Sequence, residues 1–216
     1  MIILDFGSGN TCRNSEEYGK KMIDSLAEVD SKRQCVIKWQ LFREAGENQS
    51  LDVRLFHTYY YHARQLGFRT TASVFDKFSV EYLLEFEIPF IKMANTPIIH
   101  ERKLMELIPR GVMVLSSYSD PASIPSQVWD YGTTKDRMMA CVSKYPATIE
   151  EYETKFSPPE LTRGISDHTT TLELVRKYRP YYYECHYKLE DSTGLDAGEF
   201  ARTPDQIKEL LKEANL

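Results

Sequence analysis

Two histidines, His168 and His186, each close a short apolar run in the C-terminal half of the chain, in Ser166-Asp167-His168 and Glu184-Cys185-His186. Neutral imidazoles suit Zn, Mn, Fe or Co, with carboxylates or water completing the shell. Two lysines sit inside apolar runs, Lys38 in VIKWQ and Lys92 in FIKMAN. A lysine so placed is expected to be buried and then needs a partner. Hydroxyls recur after the same kind of run, at Ser73, Ser116, Ser143 and Ser166. Ammonium groups flanked by hydroxyls suit a phosphate or carboxylate, so the set fits a small phosphorylated acid beside a divalent metal. Taken singly these residues have ordinary explanations, a structural histidine, a snorkelling lysine or a loop serine. Their chemistry depends on whether the fold brings them together.

The elements that would do so are legible as strand-length apolar runs at 2–6, 35–40, 69–74, 89–94, 112–117, 138–143, 161–166 and 180–187. Between them lie helix-like stretches. Ser15 caps 16–28, Ser79 caps 80–86, Thr148 caps 149–156 and Thr170 caps 171–178, with further helices at 51–66 and 100–109. The segment 121–131 is poorly periodic, and Thr203-Pro204 opens a last helix over 204–214. Eight strands alternating with helices through short connections predict parallel β/α units. A doubly wound sheet could use the same elements. The count of eight, and the polar residues just after the runs, favour a compact (β/α)8 TIM barrel, whose sites lie at the C-terminal ends of its strands. On that fold Asp5, Lys38, Gln40, Ser73, Lys92, Asn95, Ser116, Ser143, Tyr145, Ser166, His168, Glu184 and His186 converge on one mouth.

With 216 residues, the chain suits one domain over 1–216. The net charge of −5 is spread along it without a basic block, which argues against nucleic acid as a partner. Ile2-Ile3-Leu4 lacks a basic region before it and is too short for a bilayer, so no export and no membrane span are expected. The four cysteines, Cys12, Cys35, Cys141 and Cys185, lack CxxC spacing and read as reduced thiols in a cytoplasmic protein.

Several segments, in order, resemble the barrel domain of the N-acetylneuraminate (sialic acid) synthase family. VIKWQLF (36–42) is similar to its VKFQ strand, and SVFDKFSVEYLLEFEIPFIKMAN (73–95) to its T-P-F-D, S-V-x-F-L, P-x-x-K-I-A-S stretch. VLSSYS (114–119) resembles V-I-L-S-T-G, and CVSKYPATIEEY (141–152) resembles H-C-x-x-x-Y-P-T. GISDHT (164–169) matches G-Y-S-D-H-T, and YECHYKLEDSTGLDAGE (183–199) resembles the I-E-K-H-F-T-L-D…G-x-D run.

The resemblance implies condensation of phosphoenolpyruvate with an open-chain N-acetylated aldose such as N-acetylmannosamine, giving a nonulosonate-type 2-keto acid and phosphate. It implies a divalent metal on His168 and His186, Mn first, with Mg, Co or Zn as alternatives. Lys38, Ser73, Lys92, Asn95, Ser116, Ser143 and Ser166 would form the phosphoenolpyruvate pocket, Gln40 and Tyr145 would face the sugar, and Asp5, Glu184 and Asp196 would be catalytic carboxylates. Family enzymes are often homodimers, and that state stays open here. The expectation is a barrel without the family's C-terminal antifreeze-like domain. Asp5 stands where the family has Glu, Asn95 where it has Ser and Ser143 where Asn is frequent, and SSYS lacks the S-T-G glycine. These departures keep two other readings open: a minimal barrel condensing phosphoenolpyruvate with another aldehyde or sugar phosphate, and a non-catalytic binding or scaffold protein.

Overall fold

The structure is a computed structural model that describes residues 1–43, 48–96, 98–121 and 137–214. Eight parallel strands close into a barrel in chain order, which excludes the doubly wound alternative. They are β1 (Ile2–Asp5), β2 (Cys35–Leu41), β3 (Arg69–Val74), β4 (Ile91–Met93), β5 (Val114–Tyr118), β6 (Met138–Cys141), β7 (Gly164–Asp167) and β8 (Tyr182–His186). The helices around them are α1 (Glu16–Val29), α2 (Val53–Gln65), α3 (Lys77–Leu83), α4 (Ile98–Met105), α5 (Ile149–Lys155), α6 (Pro158–Arg163), α7 (Glu173–Tyr178) and α8 (Pro204–Glu213). Closure comes from β1, which pairs with both β2 and β8. No helix of the described residues is long and apolar enough to cross a membrane.

Side chains alternate along a strand with period two, and here that alternation stacks the barrel interior in layers. Ile3, Val36, Phe90, Leu115, Met139 and Tyr182 form a closed apolar floor, separate from the larger core between strands and helices. Two residues further along the same six strands stand Asp5, Lys38, Lys92, Ser117, Cys141 and Glu184. The register sets Asp5 opposite both Lys38 and His186, so three charged or ligating groups meet where the barrel closes. Residues on the other strand face pack against the helices: Leu4, Ile37, Trp39, Ile91 and Ile165 are fully buried there.

Helix starts follow local capping chemistry. The Ser15 hydroxyl accepts from the Tyr18 N–H at 3.3 Å, and Thr148 and Glu151 form a reciprocal capping box. Three expectations are corrected. The cap of α3 is Asp76, whose carboxylate accepts the Ser79 N–H at 2.7 Å while the Ser79 hydroxyl accepts the Asp76 N–H at 3.1 Å, so Ser79 is the third helical residue. α7 begins at Glu173, after Leu172, because Thr170 and Thr171 belong to the loop after β7. Residues 161–163 are not strand: Ser157-Pro158-Pro159-Glu160 starts α6, and β7 begins only at Gly164. The expected helix 121–131 lies almost wholly outside the described residues.

All four cysteines are buried as free thiols. Burial pushes each thiol up from its ordinary range, Cys141 to about 11 and Cys185 to about 12. Thiolates are the reactive species, so the native protein at pH 8 is expected to react with less than one equivalent of Ellman's reagent per chain. Full reaction of all four is expected only in denaturant; a fast stoichiometric reaction of the native protein would contradict this burial.

Candidate active site

The carboxyl ends of the strands enclose a cavity of about 320 Å³. At its base two ammonium groups share one carboxylate. Lys38 Nζ donates to Asp5 Oδ2 at 2.7 Å and to Ser73 Oγ at 2.9 Å, and lies 3.4 Å from Glu184 Oε1. Lys92 Nζ donates to Ser117 Oγ at 2.7 Å and to the Met93 carbonyl at 3.2 Å, and lies 3.5 Å from Glu184 Oε2. Both lysines are at most 2% exposed. Glu184 Oε1 also accepts from Ser166 Oγ at 3.1 Å, whereas Oε2 is buried without a hydrogen-bond partner among the described residues.

The surroundings set opposite tendencies in the two lysines. Burial disfavours the Lys38 ammonium, but Asp5 and Glu184 outweigh it and hold its pKa above the ordinary value. For Lys92 burial wins over the single carboxylate Glu184, and its pKa falls. Burial raises the Asp5 and Glu184 carboxyls, yet Lys38, with His186 and the Gly7 N–H at Asp5 and with Lys92 at Glu184, holds both below their usual range. Asp196 goes the other way, raised by burial and then by the like charge of Asp5, against the pull of His186.

The histidines stand one layer higher. His168 Nδ1 faces the Val142 carbonyl at 2.7 Å; a carbonyl only accepts, so Nδ1 carries the proton and Nε2 keeps its lone pair. Burial, reinforced by His186, lowers its pKa to about 3, leaving the neutral form that metal ligation requires. The His168 and His186 ring centroids are 5.5 Å apart. Asp5, His186 and Asp196 bring ligand atoms within 4.8 Å of one another, and His168 stands outside that group. Among the described residues His186 Nδ1 and Asp196 Oδ2 are buried without hydrogen-bond partners, and such a donor set fits a divalent cation. Phe200 packs on both imidazoles, at 5.9 Å from His168 and 4.9 Å from His186, and Tyr145 covers His168 at 4.2 Å.

Every residue singled out from the sequence except one lines this cavity, with Asn95 and Ser143 joined at 2.5 Å on the upper wall and Gln40 bridging Asp5 and Asp196 at 3.0 Å each. The exception is Ser116. It pairs with Met93, which faces the helices, so its side chain points out of the barrel; Ser117, two residues after the floor residue Leu115, takes the place on Lys92. Counting in twos from Leu115 would have identified it. Asn48, Phe75 and Leu195 also line the cavity. Nothing in the sequence pointed to them or to Phe200, because all four lie in irregular segments without a periodic frame.

The sequence profile of the NeuB family matches residues 24–215. The chain belongs to the NeuB family. Among solved structures, this NeuB-family chain is similar to N-acetylneuraminic acid (sialic acid) synthetase from Leptospira borgpetersenii, with 20% identity, a TM-score of 0.79, and coverage of 99% of this chain and 82% of that one. It is also similar to spore coat polysaccharide biosynthesis protein E from Chromobacterium violaceum, at 18% identity and TM-score 0.77, over 99% of this chain and 73% of that one. A truncated 3-deoxy-D-arabino-heptulosonate 7-phosphate synthase from Thermotoga maritima matches at 12% identity and TM-score 0.63, over 100% and 85% of the two chains. At these identities the likeness is one of fold. The comparison with curated proteins returned no match.

Removing one partner of a buried ion pair leaves an uncompensated charge, at a cost of about 3–5 kcal/mol. Glu184 is the carboxylate that faces Lys92, so Glu184→Gln is expected to destabilise the protein by that amount, a fall in Tm of about 10 °C. An added dianion that fills the base of the cavity should recover part of it. An unchanged Tm in calorimetry would contradict this arrangement of charge.

Proposed function

We propose that this NeuB-family protein condenses phosphoenolpyruvate with an open-chain N-acetylated aldose, N-acetylmannosamine-like, to give a nonulosonate-type 2-keto acid and phosphate. The observation that carries the reading is the pair of buried lysines, each on a serine hydroxyl and both on Glu184, beneath the imidazoles of His168 and His186. In this reading an anion-binding base and a metal-binding rim would share one cavity.

In this reading Lys38 and Lys92, with Ser73, Ser117, Ser143 and Ser166, bind the carboxylate and phosphate of phosphoenolpyruvate and orient its methylene carbon towards the rim. The methylene carbon bonds to the aldehyde carbon, water adds at C2, and the C2–O bond to phosphate breaks with phosphate as the leaving group. A divalent metal held by His168 and His186, Mn in the first instance, supplies Lewis acidity at the aldehyde oxygen when bound. Glu184 Oε2, buried and without a hydrogen-bond partner, is placed to hold the proton of the adding water. Asp5 keeps Lys38 in position and charged. Gln40, Tyr145 and Asp196 line the side left for the aldose. Among the described residues of the cavity the only cations are Lys38 and Lys92, and both are engaged at its base, so the upper wall suits a neutral polyhydroxy acceptor better than a sugar phosphate.

Purified protein supplied with Mn and phosphoenolpyruvate is expected to release phosphate only when an N-acetylated aldose is added, with product mass matching the condensed acid. Sugar phosphates and simple aldehydes in the same panel separate the rival chemistries. Lys92→Met should abolish release and weaken phosphoenolpyruvate binding at least about 100-fold, as expected for the loss of a buried charged contact worth about 3 kcal/mol. Metal-loaded, folded protein that releases no phosphate with any aldose would overturn the proposal.

A further inference from the structure

The two lysines at the base of the cavity are equally buried but unequally paired. Lys38 Nζ lies 2.7 Å from Asp5 Oδ2 and 3.4 Å from Glu184 Oε1, so two carboxylates hold its charge. Among the described residues the one carboxylate in an ion pair with Lys92 is that of Glu184, and its Oε2 stands 3.5 Å from Nζ, beyond the range of a good hydrogen bond. The hydrogen bonds of Lys92 Nζ go to neutral groups, the Ser117 hydroxyl at 2.7 Å and the Met93 carbonyl at 3.2 Å. A buried ammonium so weakly paired gives up its proton more readily than one in water. Burial lowers the pKa of Lys92 against the pull of Glu184, whereas at Lys38 burial is outweighed by Asp5 and Glu184. One lysine is fixed as a cation; the other is disposed to become an amine.

A desolvated lysine amine held on a rigid strand is a nucleophile for carbonyl carbon. Lys92 stands at the centre of β4, two residues after the floor residue Phe90, and lines the cavity although it is only 1% exposed. Lys38 and Lys92 face the two oxygens of one carboxylate, Glu184, so their nitrogens lie side by side. A 2-keto acid carries the matching pair of groups on adjacent carbons. Its carboxylate is attracted by the charge of Lys38, and its carbonyl carbon then falls beside Lys92. Ser73 Oγ accepts from Lys38 at 2.9 Å and keeps its own proton for the carboxylate of the ligand. A simple ketone lacks the group that Lys38 and Ser73 would hold.

We infer that Lys92 forms an imine with a short 2-keto acid, pyruvate being the smallest, so that the barrel has a covalent carbonyl-binding activity besides the proposed condensation. This activity needs neither metal nor aldose and does not rest on the condensation reading, although it uses the same base of the cavity. The Lys92 nitrogen bonds to C2 of the keto acid, and the C2–O bond breaks. Two of the ammonium protons leave with that oxygen as water, and one stays on nitrogen. Ammonium and ketone thus become iminium and water, with the charge unchanged. Ser117 Oγ, 2.7 Å from Nζ, lies where a hydroxyl can relay protons from the nitrogen to the departing oxygen. The iminium is a cation in the place of the ammonium, so Glu184 keeps its counter-charge throughout.

Treating the whole protein with pyruvate and sodium cyanoborohydride at neutral pH, in the presence of a chelator, tests this by intact mass and peptide mapping. The reduced adduct adds the mass of one pyruvic acid less one oxygen atom. It is expected once per chain, on Lys92, at least about tenfold above the label on any exposed lysine. Acetone, which has no carboxylate, is expected to label Lys92 at least about tenfold less than pyruvate does. Lys92→Arg keeps the positive charge and should lose the adduct; mapping reads the site in wild type, so the test survives a variant that does not fold. Label spread over Met1 and the surface lysines with no excess at Lys92 overturns the inference, and equal labelling of Lys92 by acetone overturns the choice of a 2-keto acid. Aldose-dependent phosphate release from protein whose Lys92 takes no label would remove the imine and leave the condensation reading standing. Labelled Lys92 in protein that releases no phosphate with any aldose would do the reverse.

Discussion

The constraint on which the rest of the structure depends is the burial of two ammonium groups inside a closed barrel. An unpaired ammonium in a protein interior costs several kcal/mol even after relaxation. Lys38 meets Asp5, Glu184 and Ser73, and Lys92 meets Glu184 and Ser117, so β1, β2, β3, β4, β5 and β8 must all be in place before both charges are tolerated. A slip of one residue in β2 would turn Lys38 towards the helices and bring Ile37 or Trp39 inside. The same pairs that specify the register therefore assemble the site.

The apolar floor makes this arrangement effective. Ile3, Val36, Phe90, Leu115, Met139 and Tyr182 seal the barrel beneath the lysines and keep water from the side opposite the mouth. Charges resting on such a floor interact through a low-dielectric medium, so each hydrogen bond to them is strong and each missing one is expensive. This explains why Lys38 and Lys92 diverge although they lie in one layer. Two carboxylates sustain the first ammonium and one sustains the second. An anion bound beside Lys92 would complete its environment, and Ser117 and Glu184 hold that side chain in place.

What was legible in the sequence follows from periodicity. The strands, their order and the lysines within them were readable because an apolar run broken by one lysine has a physical consequence on any fold. Closure was an inference from the count of eight, and the β1–β8 pairing supplies it. The choice of Ser116 over Ser117 failed because adjacent serines are equivalent until the inward face of the strand is known; Leu115 in the floor decides it. α6 was hidden because its six residues carry no periodic apolar face, and only the capping box of Ser157 and Glu160 marks its start. Phe200, Leu195 and Asn48 reach the cavity or its wall from loops, where position depends on tertiary contacts such as Gly194 against Asn10, which no local pattern encodes.

Charge balance joins the two halves of the cavity. Lys38 and Lys92 face Asp5 and Glu184, and Asp196 stands beside His186, so among the described residues of the cavity three carboxylates outnumber two ammonium groups. An anion entering such a site meets a base that is already neutralised and a rim that repels it. In the proposed reading a divalent cation at the rim would reverse its sign, and an anion with two acidic groups could then be held between rim and lysines at little electrostatic cost. The two occupancies would support each other, because each would supply the charge the other needs. Gln40 links the rim carboxylate Asp196 to Asp5, and Asp5 accepts from Lys38, so the rim and the base of the cavity are parts of a single hydrogen-bonded chain and a charge placed at one end is felt at the other.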